Sequence, residues 1–260
     1  MTLAKAAPFV LLASLLAGCG SSAAGDASDP EETLAAAATR TLEEDSARIS
    51  YSLHNRLLGR PPGQGTHGEL AFGSRAARLS VDGDGHLYTP SHWYVHHRWK
   101  DPITGKPWVG YSRERFDVYE DDRLRLVPYL AAGAVGIGAA NEDTVDGRTT
   151  TRYQATVDVD RALTAVPESG RPLAERVLEE ALLGQRARVD FWLDDQGRLR
   201  RIRVQIPPGR TYSRTDPDGD SISLKSGPGA ATSTFDFIAF GVPVDATPPP
   251  ADEVGDPLNP

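Results

Sequence analysis

From Arg48 onward, apolar residues in this chain tend to fall on every second position. Ile49, Tyr51 and Leu53 alternate with Ser50, Ser52 and His54, and Leu70–Phe72 and Leu79–Val81 repeat the pattern. A period of two puts every apolar side chain on one face of an extended segment, so it dictates half-buried β-strands. Trp93, Val95, His97 and Trp99 share one face of a further strand, and another is predicted from Trp108 to Tyr111. Asp82-Gly83-Asp84-Gly85, Asp146-Gly147 and Asp194-Asp195-Gln196-Gly197 punctuate these runs. Such turns return the chain at once, so the strands beside them pair antiparallel. Thr144-Val145 with Arg148 to Val159, and Val189-Phe191-Leu193 with Ile202-Val204-Ile206, are two such pairs. Strands around Ile222-Leu224 and Phe235-Phe237 close the series.

Helical signals are fewer. Asp29 is placed to cap a helix, Pro30 suits its first position, and Glu32 completes a capping-box pattern. Leu34, Ala38, Thr41 and Leu42 then fall on one side. A helical interval is predicted from about Val118 to Ala140. Another helix is predicted from Pro172 to Leu183, with Leu173, Val177, Ala181 and Leu182 inward and Gly184 at its end. Nothing repeats at a fixed period and no linker divides the run. Residues 29–245 therefore read as one α+β domain. Residues 246–260, rich in proline and acid, read as a disordered tail.

The N-terminus constrains location. Lys5 precedes an apolar stretch from Phe9 to Leu16, too short for the ~20 residues a bilayer span needs. Leu16-Ala17-Gly18-Cys19 ends it, with small residues directly before the only cysteine. Residues 1–18 thus read as a lipoprotein signal peptide, cut to leave Cys19 lipidated. Residues 19–28 form a small, polar tether. Two acyl chains suffice to hold a protein stably on a membrane. The expected location is extracytoplasmic, on the outer face of the cell membrane. With Cys19 acylated, no thiol remains for a disulfide, a metal or a nucleophile. The chain carries 28 basic and 36 acidic residues, a net charge of −8. That balance argues against nucleic acid and against electrostatic attachment to anionic lipid. The preference for arginine, with only 4 lysines, resembles the product of a GC-rich genome.

Catalytic signals are wanting. Gly-x-Ser-x-Gly, His-Glu-x-x-His and Ser-x-x-Lys do not occur, so no enzymatic activity is expected. Gly133, Gly136 and Gly138 lack the βαβ setting of a dinucleotide site, and no cofactor is expected. His92 and His96 share one face of their strand with His97 opposite, but no acid at suitable spacing completes a metal set. Asp216, Asp218 and Asp220 are spaced like a calcium loop, yet Gly227 stands where a bidentate glutamate is required. A turn is the better reading there, and no metal is expected.

Two stretches carry a family resemblance. They are Val145-Asp146-Gly147-Arg148-Thr149-Thr150-Thr151-Arg152-Tyr153 leading to Val157-Asp158-Val159-Asp160, and Val189 to Arg201 with its Asp194-Asp195-Gln196-Gly197 turn. With the closing Phe240-Gly241-Val242-Pro243-Val244, the chain resembles the LolA-like half-barrel lipoproteins of actinobacteria, the LppX/LprG-related group, over roughly Glu31 to Glu253. The resemblance implies a strongly curved antiparallel sheet with helices covering its concave face. It also implies a lipid or other apolar ligand held between them, as in some members, and transfers no catalytic residue. Leu130, Val135 and Ile137 of the expected helical roof, with Trp93, Val95 and Phe191 of the sheet, are the expected lining. Ala131, Ala132, Gly133, Ala134, Gly136 and Gly138 lie among them. Such small residues either leave room for a ligand or let backbones approach closely. The aromatic group Trp93, Tyr94, Trp99, Trp108 and Tyr111 is read chiefly as packing. The alternative to a monomeric lipid carrier is an envelope scaffold or sensor that meets a protein partner through its surface.

Overall fold

The computed structural model describes residues 29–55, 65–97, 101–114, 120–182, 186–209, 211–215, 221–225 and 230–256. Cys19 and its tether, Trp99, Gly184, Asp216 to Asp220 and Gly227 lie outside the described residues.

Helix α1 (Pro30–Leu42) opens the fold, capped by the Asp29 carboxylate, which accepts from the Glu31 amide at 3.0 Å. Five strands follow: β1 (Ser46–Asn55), β2 (Thr66–Ala71), β3 (Ala77–Val81), β4 (Asp84–Tyr88) and β5 (His92–His96). Strand β6 (Trp108–Ser112) precedes the short α2 (Glu120–Leu126), a 3-10 turn (Val127–Ala131) and the two-residue β7 (Ala134–Val135). Strands β8 (Asn141–Val145) and β9 (Arg148–Asp158) form a hairpin, and α3 (Val159–Thr164) and α4 (Arg171–Leu182) come next. The chain ends through β10 (Arg186–Leu193), β11 (Leu199–Ile206), β12 (Thr211–Thr215), β13 (Ser221–Lys225), β14 (Ala231–Phe240) and β15 (Val254–Gly255).

All but β12 and β13 belong to one open, curved sheet in the order β15-β6-β5-β4-β3-β2-β1-β14-β11-β10-β9-β7, with β8 also on β9. Two local meanders, β1 to β6 and β8 to β11, are joined by β14, which pairs antiparallel with both β1 and β11. The expected half-barrel is therefore present, with helices on one face. At the β8–β9 turn Asp146 and Gly147 take φ of 48° and 74°, the geometry that a tight hairpin demands of its two central residues.

The helices pack on the face that gathers the alternating apolar residues. Leu34, Ala37 and Ala38 of α1, Val177, Leu178 and Leu182 of α4, and Leu130 of the 3-10 turn meet Val189, Phe191, Ile202 and Val204 of the sheet. The buried Thr41 hydroxyl donates to the Ala37 carbonyl at 2.8 Å and accepts from the Leu199 amide at 2.9 Å, fixing α1 to the start of β11. In α4 the buried side chains are Ala174, Val177, Leu178 and Leu182, a stripe turned slightly from the expected Leu173–Val177–Ala181–Leu182.

Two expectations need correction. The interval from Val118 to Ala140 is not one helix: α2 ends at Leu126, Pro128 sits in a 3-10 turn, and the chain leaves it to pair as β7. The segment read as a loose tail is bound to the sheet as far as Gly255. Lys106 Nζ donates to the Asp252 carbonyl at 2.7 Å, and Val254 and Gly255 pair parallel with Trp108 and Val109 on the edge of β6.

Candidate apolar ligand site on the inner face

Strand register sorts the inner face into rows of side chains running across the sheet. One row is Ala47, Leu70, Ala77, Tyr88, Trp93 and Tyr111. The next is Phe237, Ile49, Gly68, Leu79, His86, Val95 and Val109. A third is Phe235, Tyr51, Thr66, Val81 and Asp84. These rows are predominantly apolar for as far as the sheet extends.

The helical cover is uneven. Helices α1 and α4 lie against β11, and α2 reaches from the β2–β3 turn, held by Arg125, to the end of β6, held by Arg113. Burial on this face is uneven. Val189, Phe191, Ile202 and Val204 are enclosed, as are Leu79, Tyr88 and Val109, whereas Tyr51, Leu53, Val81, His86, Trp93 and Tyr111 are only half-buried. An apolar inner face with incomplete cover is the part of this fold that can receive an apolar molecule.

The expected lining divides accordingly. Trp93 lies on the half-covered side, with Val95 beside it and nearly enclosed at 6 % exposure. Leu130 and Phe191, at 0 % exposure, belong to the filled core instead. Val135 is on β7 at the far sheet margin, opposite Thr156, and Ile137 packs partly against the core. Gly133 does not hollow the roof, and Gly136 and Gly138 are exposed. A Cβ on Gly133 would stand 2.5 Å from the Asp158 carbonyl oxygen and 2.8 Å from Ala162 Cβ, so the missing side chain lets the turn close on α3. Of the aromatic group, Trp93 and Tyr111 face inward, stacked at 5.0 Å, while Tyr94 and Trp108 occupy the opposite register.

Inside the half-covered region one polar group stands in an apolar row. His86 Nδ1 receives the Trp93 indole N–H at 3.2 Å and lies 3.3 Å from the Tyr88 hydroxyl. Burial pushes the imidazole down to about 4, against the nearby Asp84 carboxylate, which favours its charged form. The ring is neutral at pH 7.

At one end of the trough, α2 is fastened by buried charges. Arg113 donates to Asp121 at 2.9 Å and to Asp122 at 3.1 Å, and Arg125 donates to Asp121 at 2.6 Å. Arg125 also donates to the Ala71 and Ala76 carbonyls at the β2–β3 turn. Burial raises the Asp121 carboxyl above its ordinary range despite both guanidinium groups. Sequence reasoning missed this cluster, and it missed His86 and Tyr88. Their place one strand before Trp93, with the same parity, was the available signal. Among the described residues no group of three or more His, Cys, Asp or Glu is placed to hold a metal. No helix there is long and apolar enough to cross a membrane.

No protein-family model matches the sequence, and no curated protein matches it. Solved structures do. The crystal structure of LprF from Mycobacterium bovis superposes with a TM-score of 0.52 at 14 % identity, covering 85 % of this chain and 96 % of that one. This chain shares the LprF fold. Lipoprotein LppX from Mycobacterium tuberculosis gives a TM-score of 0.48 at 12 % identity, over 83 % of this chain and 98 % of its own. The fold expected from the hairpin sequences is thus present, as a likeness to LprF.

Proposed function

We propose that this chain is an envelope lipoprotein, held to the outer face of the membrane by acylated Cys19, that binds a lipid or other apolar molecule between its curved sheet and helices. The observation that carries the reading is the incomplete cover of the inner face. Apolar rows run on to β6, and Tyr51, Val81, Trp93 and Tyr111 on them stay only half-buried. A sheet face of this kind, left to water, loses about 25 cal/mol for every Å² it fails to bury, so an apolar occupant is stabilising. The LprF fold supports the reading without naming an occupant. The role is that of a binding protein, and no catalytic step is assigned.

Two measurements test it. Cells fed a labelled fatty acid are expected to label the wild-type chain and not a Cys19→Ser variant. Native mass spectrometry of residues 19–260 carrying Cys19→Ser, exported by the source cells and purified without detergent, is expected to show an added apolar mass. Ligand-free protein alone, together with a crosslinked protein partner, favours the scaffold or sensor role.

A further inference from the structure

Tryptophan's indole nitrogen is only ever a donor, so the Trp93 bond at 3.2 Å requires an unprotonated Nδ1 on His86. In a neutral ring the remaining proton is then on Nε2. The Tyr88 hydroxyl, 3.3 Å away, approaches that same Nδ1. Nε2 has no partner among the described residues, and it is absent from their sealed, unbonded polar atoms. It is also the far end of the ring. Side chains stand roughly perpendicular to a sheet, so Nε2 is carried toward the space above the strand while Nδ1 stays near its neighbours. The ring is braced on both sides, with its centroid 5.6 Å from Trp93 and 6.2 Å from Tyr88. The row neighbours of His86 are Leu79 and Val95, neither of which offers a polar side-chain group.

We propose that His86 is a specificity-determining residue of the apolar site, its Nε2–H donating to an uncharged acceptor oxygen, a carbonyl or ether, on the bound molecule. The inference rests on the ligand-binding reading above and deepens it. An anionic oxygen suits the position poorly, because Asp84 occupies the same inner face two residues before His86. A free carboxylate would meet that charge at close range, although Asp84 is partly exposed and faces His97 at 3.6 Å. The preferred occupant is therefore an apolar chain with a neutral oxygen, an ester in preference to its acid.

The test uses residues 19–260 with Cys19→Ser, loaded with diphenylhexatriene, a hydrocarbon fluorophore with no oxygen. Three competitors displace it: 1-octadecene, methyl oleate and oleate. In the otherwise wild-type chain methyl oleate is expected to compete about two- to tenfold better than octadecene, the range for one neutral hydrogen bond. Oleate is expected to gain no such advantage. His86→Phe is expected to keep fluorophore and octadecene affinity and lose the ester preference. His86→Gln, which retains a donor, is expected to recover part of it. Equal competition by ester and alkene in wild type overturns the inference while leaving the apolar site standing, as does an ester preference that survives His86→Phe. Failure of the wild-type chain to bind the fluorophore at all overturns both.

Discussion

Arg113 and Asp121 meet at 2.9 Å with side chains only 4 % and 0 % exposed, a charge pair taken out of water between the end of β6 and the first turn of α2. Arg125 and Asp122 complete the cluster. Removing one member of a buried pair leaves its partner charged and unsolvated, which costs about 3–5 kcal/mol. Asp121→Leu and Arg113→Met are therefore each expected to lower the urea midpoint strongly. The joint replacement Arg113→Met with Asp121→Leu should lie well above the sum of the two losses. Simple additivity in that cycle would show that the pair is not coupled.

Acid weakens the fold through His86. Its native pKa of about 4 lies below the unfolded value of 6.5, so between those pH values the unfolded chain binds more protons. Stability is expected to fall as pH drops from about 6.5 to about 4, by at most about 3 kcal/mol from this residue. Thermal melts at pH 7, 5.5 and 4.5 should show a shallower decline for His86→Phe than for the wild-type chain. Parallel declines would mean that His86 is not held neutral by the fold.

Gly133→Ala is expected to cost about 1–3 kcal/mol, since the new methyl group must displace the backbone of Asp158 or the side chain of Ala162. Gly73→Ala is the control: nothing stands within 4 Å of its Cβ, and stability should change by less than about 0.5 kcal/mol. Chemical denaturation of the two variants side by side reads the difference. Equal midpoints would remove the argument that Gly133 permits close approach.

Deleting residues 247–260 removes the Val254–Trp108 pairing and bares that edge of β6. An uncovered edge strand is a template for another chain. Light scattering should then show association that grows with protein concentration, absent from the intact chain. A truncated chain that stays monomeric throughout would show that the strap does not protect the edge.

The sheet was legible because alternation and turn chemistry are local. Ile49-Tyr51-Leu53 and Asp146-Gly147 each carry their own instruction. The stretch after Leu126 was misread because Ala- and Gly-rich sequence around Pro128 looks helical until Gly133 is seen closing against α3. Asp121, Asp122 and Arg125 carry no apolar pattern that would announce burial, and it is docking against the β2–β3 turn and Arg113 that buries them. The pairing of Val254 and Gly255 involves two residues and no periodicity, so no pattern announces it. Half of the expected lining, Leu130, Val135 and Phe191, lies in the core or at the far margin. Which part of an apolar face stays uncovered depends on where the helices stop.

The C-terminal strap also sets an order of events. Lys106 reaches the Asp252 carbonyl across 146 positions of sequence, and the edge it serves belongs to the first meander. A chain delivered from its N-terminus can assemble β1 to β6 early, but that border waits for residues 252–255 to arrive. A frameshift just before Val254 would strike a strand made more than a hundred residues earlier.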